Sequence, residues 1–140
     1  MITVEIRGEA VTDAVRAEVA RLLDGDARMR VKTDTSGGMA DAVDCLWNAL
    51  FFRVYADGAP VAFYALRFRK KGALVHGEVT IAHGRAGFDL VRYVLPLIEQ
   101  QCGHCAALRI ETKRAGLMKK LERAGYGHAS TILEKRLCAS

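Results

Sequence analysis

The stretch Val79-Thr80-Ile81-Ala82-His83-Gly84-Arg85-Ala86-Gly87-Phe88-Asp89-Leu90-Val91-Arg92-Tyr93 decides how the chain is read. Its first half alternates apolar residues, a glycine-bracketed turn follows, and a helical pattern starts at once. A strand feeding a helix through such a turn leaves unpaired backbone N–H groups at the helix N-terminus, where an anion can sit. The plainer alternative is a tight turn with no ligand, and glycine spacing alone does not separate the two.

Downstream, Leu90, Val91, Val94, Leu95 and Ile98 fall on one helical face, and Pro96 is expected to kink the helix. Leu108 and Ile110 mark a short strand. Leu117, Met118 and Leu121 mark a further helix stopped by Gly125, and Thr131 to Leu137 reads as a closing strand. Upstream, the strand Leu74 to His83 turns back through Lys71-Gly72 to a strand from Val61 to Arg69. That one turns through Asp57-Gly58 to a strand from Leu50 to Ala56. At the start, Ile2, Val4 and Ile6 alternate, Thr12 can cap a helix carrying Val15, Val19, Leu22 and Leu23, and Gly25 supplies its stop. Arg28 to Asp41, with Thr33-Asp-Thr-Ser-Gly-Gly38, has no period and reads as a long loop on the substrate side. Met39 to Asn48 holds a short second helix. The order is β-α-(α)-β-β-β-α-β-α-β. It predicts an α/β protein with a mixed sheet and helices on both faces. Its hairpin-joined strands are antiparallel, and the two strands flanking the crossover helix are parallel.

With 140 residues and 51% hydrophobic content, the chain reads as one domain, 1–140, able to bury a core. No apolar run reaches the roughly 20 residues that span a bilayer, so no membrane partner is expected. The start lacks the order of a signal peptide, which makes the cytosol the expected location. A net charge of +5 suits an anionic ligand but is too modest to indicate nucleic acid. Arg67, Arg69, Lys70 and Lys71 read as a solvated hairpin end. Cysteines stand at 45, 102, 105 and 138. Cys102-Gly103-His104-Cys105 matches the local sequence of disulfide isomerases, yet it follows a helical run, whereas redox pairs open one. Neither a second such pair nor a histidine pair completes a zinc site, so no metal is expected and the thiols read as buried or idle.

Within the strand Leu74 to His83, strict alternation places Val75, Gly77, Val79 and Ile81 on one face and His76, Glu78 and Thr80 on the other. A polar strand face of this kind is either solvated or chemical.

The element order resembles the GNAT superfamily of acyl-CoA-dependent N-acetyltransferases, most firmly from Leu50 to Leu137. Leu117-Met-Lys-Lys-Leu-Glu-Arg-Ala-Gly-Tyr126 looks like that family's fourth helix and the aromatic after its glycine. Ile110-Glu-Thr-Lys-Arg-Ala-Gly-Leu117 also resembles compact GNAT-like proteins of tailed phages. The resemblance implies acetyl-CoA as cofactor. Its pyrophosphate loop, Gln/Arg-x-x-Gly-x-Gly/Ala, falls on Gly84, Arg85, Ala86, Gly87, Phe88 and Asp89, where Gly87 alone matches. A carboxylate at Asp89 suits the helix dipole but repels a phosphate, and Arg85 can offset that by pairing with a phosphate oxygen. Backbone groups around Ile81 and His83 are implied as partners of the pantetheine arm. Leu121 stands where many relatives carry a tyrosine acid, and Arg114 where an asparagine is frequent. Tyr64, Tyr93 and Tyr126 lie elsewhere in the chain.

Relatives often carry a carboxylate base on the fourth strand, which makes Glu78 the candidate base, directly or through a water, and His76 the second choice. Two functions follow. One is acetyl transfer from acetyl-CoA to a small-molecule or protein amine, with a homodimer allowed. The other is a non-catalytic GNAT-like binding or structural protein, for example of a phage particle and then virion-associated. A disulfide oxidoreductase is a distant third.

Overall fold

The alternating segments pair into one five-stranded sheet in the order β1-β2-β3-β4-β5. The structure, a computed structural model, describes residues 1–25, 42–112, 114–133, 135 and 137. The strands are β1 (Val4–Glu9), β2 (Leu50–Ala56), β3 (Ala59–Lys71), β4 (Leu74–Gly84) and β5 (Ala107–Ile110). The helices among the described residues are α1 (Asp13–Gly25), α2 (Ala42–Leu46), α3 (Leu90–Gln101) and α4 (Ala115–Arg123). β1 to β4 are antiparallel neighbours, and β4 pairs parallel with β5 across the α3 crossover, as the element order requires. The β2–β3 turn places both Asp57 and Gly58 at positive φ, the tight hairpin that an Asp-Gly pair favours. Thr12 Oγ1 accepts from Val15 N at 3.2 Å and so caps α1.

The sheet separates two cores. On one face, Val15, Val19 and Leu23 of α1 and Ala42, Cys45 and Leu46 of α2 meet Phe51, Phe63, Ala65 and Ile81. On the other face, Val94, Ile98 and Cys102 meet Val54, Tyr64, Leu66 and Val79. Burying Phe51 and Leu66 stabilises the fold by about 1.5–3 kcal/mol each.

Four expectations change. The β3–β4 register runs Ala65↔Ile81 and then Leu66↔Val79, so Thr80 is an inserted residue and β4 carries a bulge. One extra residue breaks the period of two. Val79 therefore enters the α3 core and Ile81 the α1 core, although strict alternation put them on one face. The hairpin-end cations are not all solvated, because Arg67 is nearly buried and ion-paired. α3 runs unbroken through Pro96, which lies on its exposed side, where water can reach the Arg92 carbonyl that Pro96 has no N–H to bond. At the expected last strand, residues 131–133, 135 and 137 carry no strand, and Ile132, Leu133 and Leu137 are exposed. An apolar alternation becomes a strand only where an edge pairs it and a layer covers it. The loop expected at 28–41 lies outside the described residues, as does Cys138. Of the helix expected at 39–48, Ala42–Leu46 is described.

Gly84 closes β4 because nothing larger fits. A Cβ there would stand 2.7 Å from Ala62 Cβ and 2.6 Å from Leu90 Cδ1. Gly84→Ala is expected to destabilise the fold by about 1–3 kcal/mol through overpacking. Gly87→Ala, with nothing within 4 Å of its Cβ, is expected to leave stability nearly unchanged. Thermal melting of the two variants checks the contrast.

Candidate active site

β4 outruns its parallel partner. Pairing with β5 ends at Val79↔Ile110, whereas β4 continues through Gly84. Beyond the bulge the two strands part, and α3 and α4 roof the gap. The result is a cleft of about 730 Å³ with apolar walls that include Val79, Leu90, Val94, Ile110, Leu117 and Leu121. Arg85, Arg114 and Lys120 supply its cations.

Backbone geometry decides what the cleft offers. Arg85 N donates to Val61 O at 2.9 Å, which makes this a hydrogen-bonded pair of the antiparallel ladder. By alternation, Ile81 and His83 also turn their N–H and C=O toward β3, and Ala82 and Gly84 turn theirs toward the side that β5 has left. The open backbone groups thus belong to Ala82 and Gly84, in place of the expected Ile81 and His83. The His83 ring instead lies across the sheet against Phe63, centroids 5.8 Å apart.

The turn from Arg85 to Asp89 ends in a complete capping motif. Asp89 is the N-cap of α3, and its Oδ1 accepts from Val91 N at 3.1 Å and Arg92 N at 3.5 Å. Phe88 before the cap packs edge-on to Tyr93, centroids 5.2 Å apart, as a hydrophobic staple. Lys120 Nζ of α4 reaches the same Asp89 oxygen at 3.2 Å. Desolvation is the largest single influence and raises the Asp89 pKa, but the hydrogen bond and charge of Lys120 and the two N–H groups together outweigh it, and the carboxyl sits below its usual range. The N–H groups that an anion would use are already held by the chain's own carboxylate. Gly87, the single match to the family loop, has neither a positive φ nor a close neighbour to require glycine.

On the opposite face, Glu78 stands one residue before the last β4–β5 rung and faces α2. Oε1 accepts from Arg67 Nη2 at 2.9 Å, and Oε2 lies 3.4 Å from Arg69 Nε. Arg67 also donates to the carbonyls of Asp44 and Trp47 and so holds the end of α2. Arg69 is 63% exposed, which makes its link the weaker of the two. Thr80 Oγ1 donates to Cys45 O at 2.6 Å. His76 is paired with Ala107 inside the closed part of the ladder, and its Nδ1 is buried with no hydrogen-bond partner among the described residues.

Leu121 is buried against the cleft and has no proton to give. Among the described residues, Tyr64 carries the one hydroxyl in the cleft lining, and it donates to Gln101. Burial raises its pKa, which suits a hydrogen-bonded core phenol more than an acid. Tyr126 donates to Glu99 at 2.7 Å. Sequence reasoning missed Lys120. Its spacing from Leu117 and Leu121 on one helical face is the signal that places it beside the cleft.

No family model matches the sequence, and no curated protein matches it. Solved structures match along nearly the whole chain. The ribosomal-protein-alanine N-acetyltransferase of Brucella melitensis biovar Abortus 2308 is 16% identical, with TM-score 0.65 over 97% of this chain and all of its own. The glucosamine-6-phosphate N-acetyltransferase of Arabidopsis thaliana is 14% identical, with TM-score 0.60 over 97% of this chain and 99% of its own. The aminoglycoside N-acetyltransferase AAC(6')-Iy, solved with CoA, is 15% identical, with TM-score 0.57 over 99% of this chain and 97% of its own. The fold is that of the GNAT acetyltransferases.

Proposed function

We propose that the protein transfers an acetyl group from acetyl-CoA to an amine and takes the pantetheine arm in the β4–β5 cleft. The observation that carries this reading is the parting of the two strands after Val79, which opens an apolar cleft beside the backbone of Ala82 and Gly84. Those groups fit the amides of the arm, and the apolar walls fit its methylenes. A neighbour with this fold was solved with CoA, which supports the same assignment. The thioester, when bound, supplies the acetyl group, and the chain's residues bind, orient and move protons around it.

The fit is incomplete at the phosphates. The α3 N-terminus does not suit a pyrophosphate while Asp89 occupies it. Arg85 and Arg114, with no ion-pair partner among the described residues, are the cations left to hold one. Glu78 is the proposed base for the acceptor ammonium. Oε2 becomes available when the exposed Arg69 swings away, and Oε1 stays on Arg67. A thiolate is a better leaving group than an amide nitrogen, so the lack of an acid at Leu121 does not stop the reaction.

Arg69→Ala is therefore expected to retain or raise turnover, with stability changed by about 0–1 kcal/mol. Arg67→Ala is expected to lower both, because α2 loses its carbonyl partner. Parallel thermal melts and acetyl-transfer assays read these outcomes.

The second reading, a non-catalytic GNAT-like binding or structural domain, of a phage particle for instance, is favoured by the Asp89 cap. Calorimetric titration with acetyl-CoA, followed by a thiol-release assay over a broad amine panel, separates the two. Binding with amine-dependent thiol release supports the enzyme. No binding at millimolar acetyl-CoA and no turnover leaves the non-catalytic domain.

A further inference from the structure

We propose that Cys102 and Cys105 form an intramolecular disulfide by exchange with a small-molecule disulfide, which makes the end of α3 a reversible oxidation site. α3 ends at Gln101 with Cys102 as its C-cap, and the chain turns back at once. Cys105 N donates to Cys102 O at 2.9 Å, closing a single β-turn. Such a turn brings the first and fourth Cα within about 7 Å, inside the reach of a disulfide. Cys105 packs against the same core cluster that buries Cys102.

Their surroundings assign different roles. Cys102 is buried against β4, so close that a Cβ at Gly77 would stand 2.6 Å from its sulfur. Cys105 is partly exposed, with His104 Nε2 at 3.6 Å from its sulfur. Cys105 is thus the thiol an external disulfide can reach, and Cys102 is the one that resolves. In the exchange, Cys105 gives its proton to His104 or solvent, and its sulfur attacks one sulfur of glutathione disulfide. One glutathione thiolate leaves. Cys102 then loses its proton, its sulfur attacks Cys105 Sγ, and the second glutathione thiolate leaves. The protein has lost two protons and two electrons, and glutathione disulfide has become two thiols.

Position on the helix tells this pair from a dithiol oxidoreductase. It lies at the negative end of the α3 dipole, which disfavours a thiolate. Burial, and after it the neighbouring Cys105, push the Cys102 thiol up to about 11. A weakly acidic thiol is a poor leaving group, so the disulfide, once made, resists exchange. This is chemistry for a stable, reversible mark and ill suited to shuffling disulfides in other proteins.

Cys102 and Cys105 lie on one tryptic peptide, Tyr93 to Arg109, apart from Cys45 and Cys138. The full chain is incubated with excess glutathione disulfide, quenched in acid, alkylated with iodoacetamide after unfolding, and digested. The expected peptide is unalkylated and lighter by two hydrogens, and dithiothreitol restores two alkylation sites. In Cys102→Ala, Cys105 is expected to hold one glutathione as a persistent adduct. In Cys105→Ala, Cys102 is expected to stay a thiol. A wild-type peptide that still takes two alkyl groups overturns the proposal, and so does one that accumulates the glutathione adduct. The wild-type peptide alone decides the matter should either variant fail to fold.

Discussion

Glu78→Gln is expected to hold acetyl-CoA affinity and to cut turnover at neutral pH by about 10²–10⁴-fold, the usual contribution of a positioned base. Glutamine keeps the shape, and its carbonyl oxygen can still accept from Arg67, but it takes no proton. The cofactor side should not notice, because the cleft lies across the sheet against α3 and α4. Raising the pH should recover part of the rate, since more of the amine arrives already deprotonated. That recovery separates chemistry from scaffolding. Loss of a clamp on Arg67 would lower stability and turnover alike at every pH. Equal turnover in wild type and variant would leave Glu78 as the clamp and pass the test to His76, two residues earlier on β4.

The antiparallel pairing of β2 to β4, the parallel β4–β5 pair and helices on both faces were legible because each rests on local periodicity. Asp57-Gly58 and Lys71-Gly72 fix the hairpins, and the run from Leu90 to Ile98 makes the crossover long enough for a parallel pair. The β4 bulge was not legible. Nothing about Thr80 announces an extra residue, and the register shift exists only in relation to β3. That one residue changes which side chains meet which core and sets where β4 leaves β5. The ion pairs of Glu78 were hidden for a similar reason, since Arg67 and Arg69 reach it across a hairpin. The capping motif, by contrast, stood in plain view. Phe88-Asp89 followed by Tyr93 carries both staple and cap, at a spacing independent of the glycines around it. The last strand failed because a pattern with nothing to cover it, like Ile132 and Leu133 here, carries no structural instruction.

Asp89→Ala is expected to move affinity and stability in opposite directions. Removing the carboxylate exposes the N–H groups of Val91 and Arg92 and frees Lys120, so a helix N-terminus and a cation become available together. If the acetyl-CoA phosphates approach this end of the cleft, affinity should rise about five- to tenfold, a surface-discounted Coulomb effect that shrinks with added salt. The cap is lost at the same time, which should lower stability by about 1 kcal/mol. The pH dependence has a definite sign. A carboxyl held below its usual range contributes stability in full above that range and loses it as the pH falls through its native value. The melting difference between wild type and variant should therefore close in acid. Gly87→Asp is the converse test. It adds a carboxylate where the Cβ has open space, so the fold should tolerate it while phosphate binding weakens. Affinity up in one and down in the other puts the phosphates at the α3 N-terminus. Affinity unchanged in both, with binding intact, puts them on Arg85 and Arg114 and makes the Asp89 cap a purely structural end to the loop.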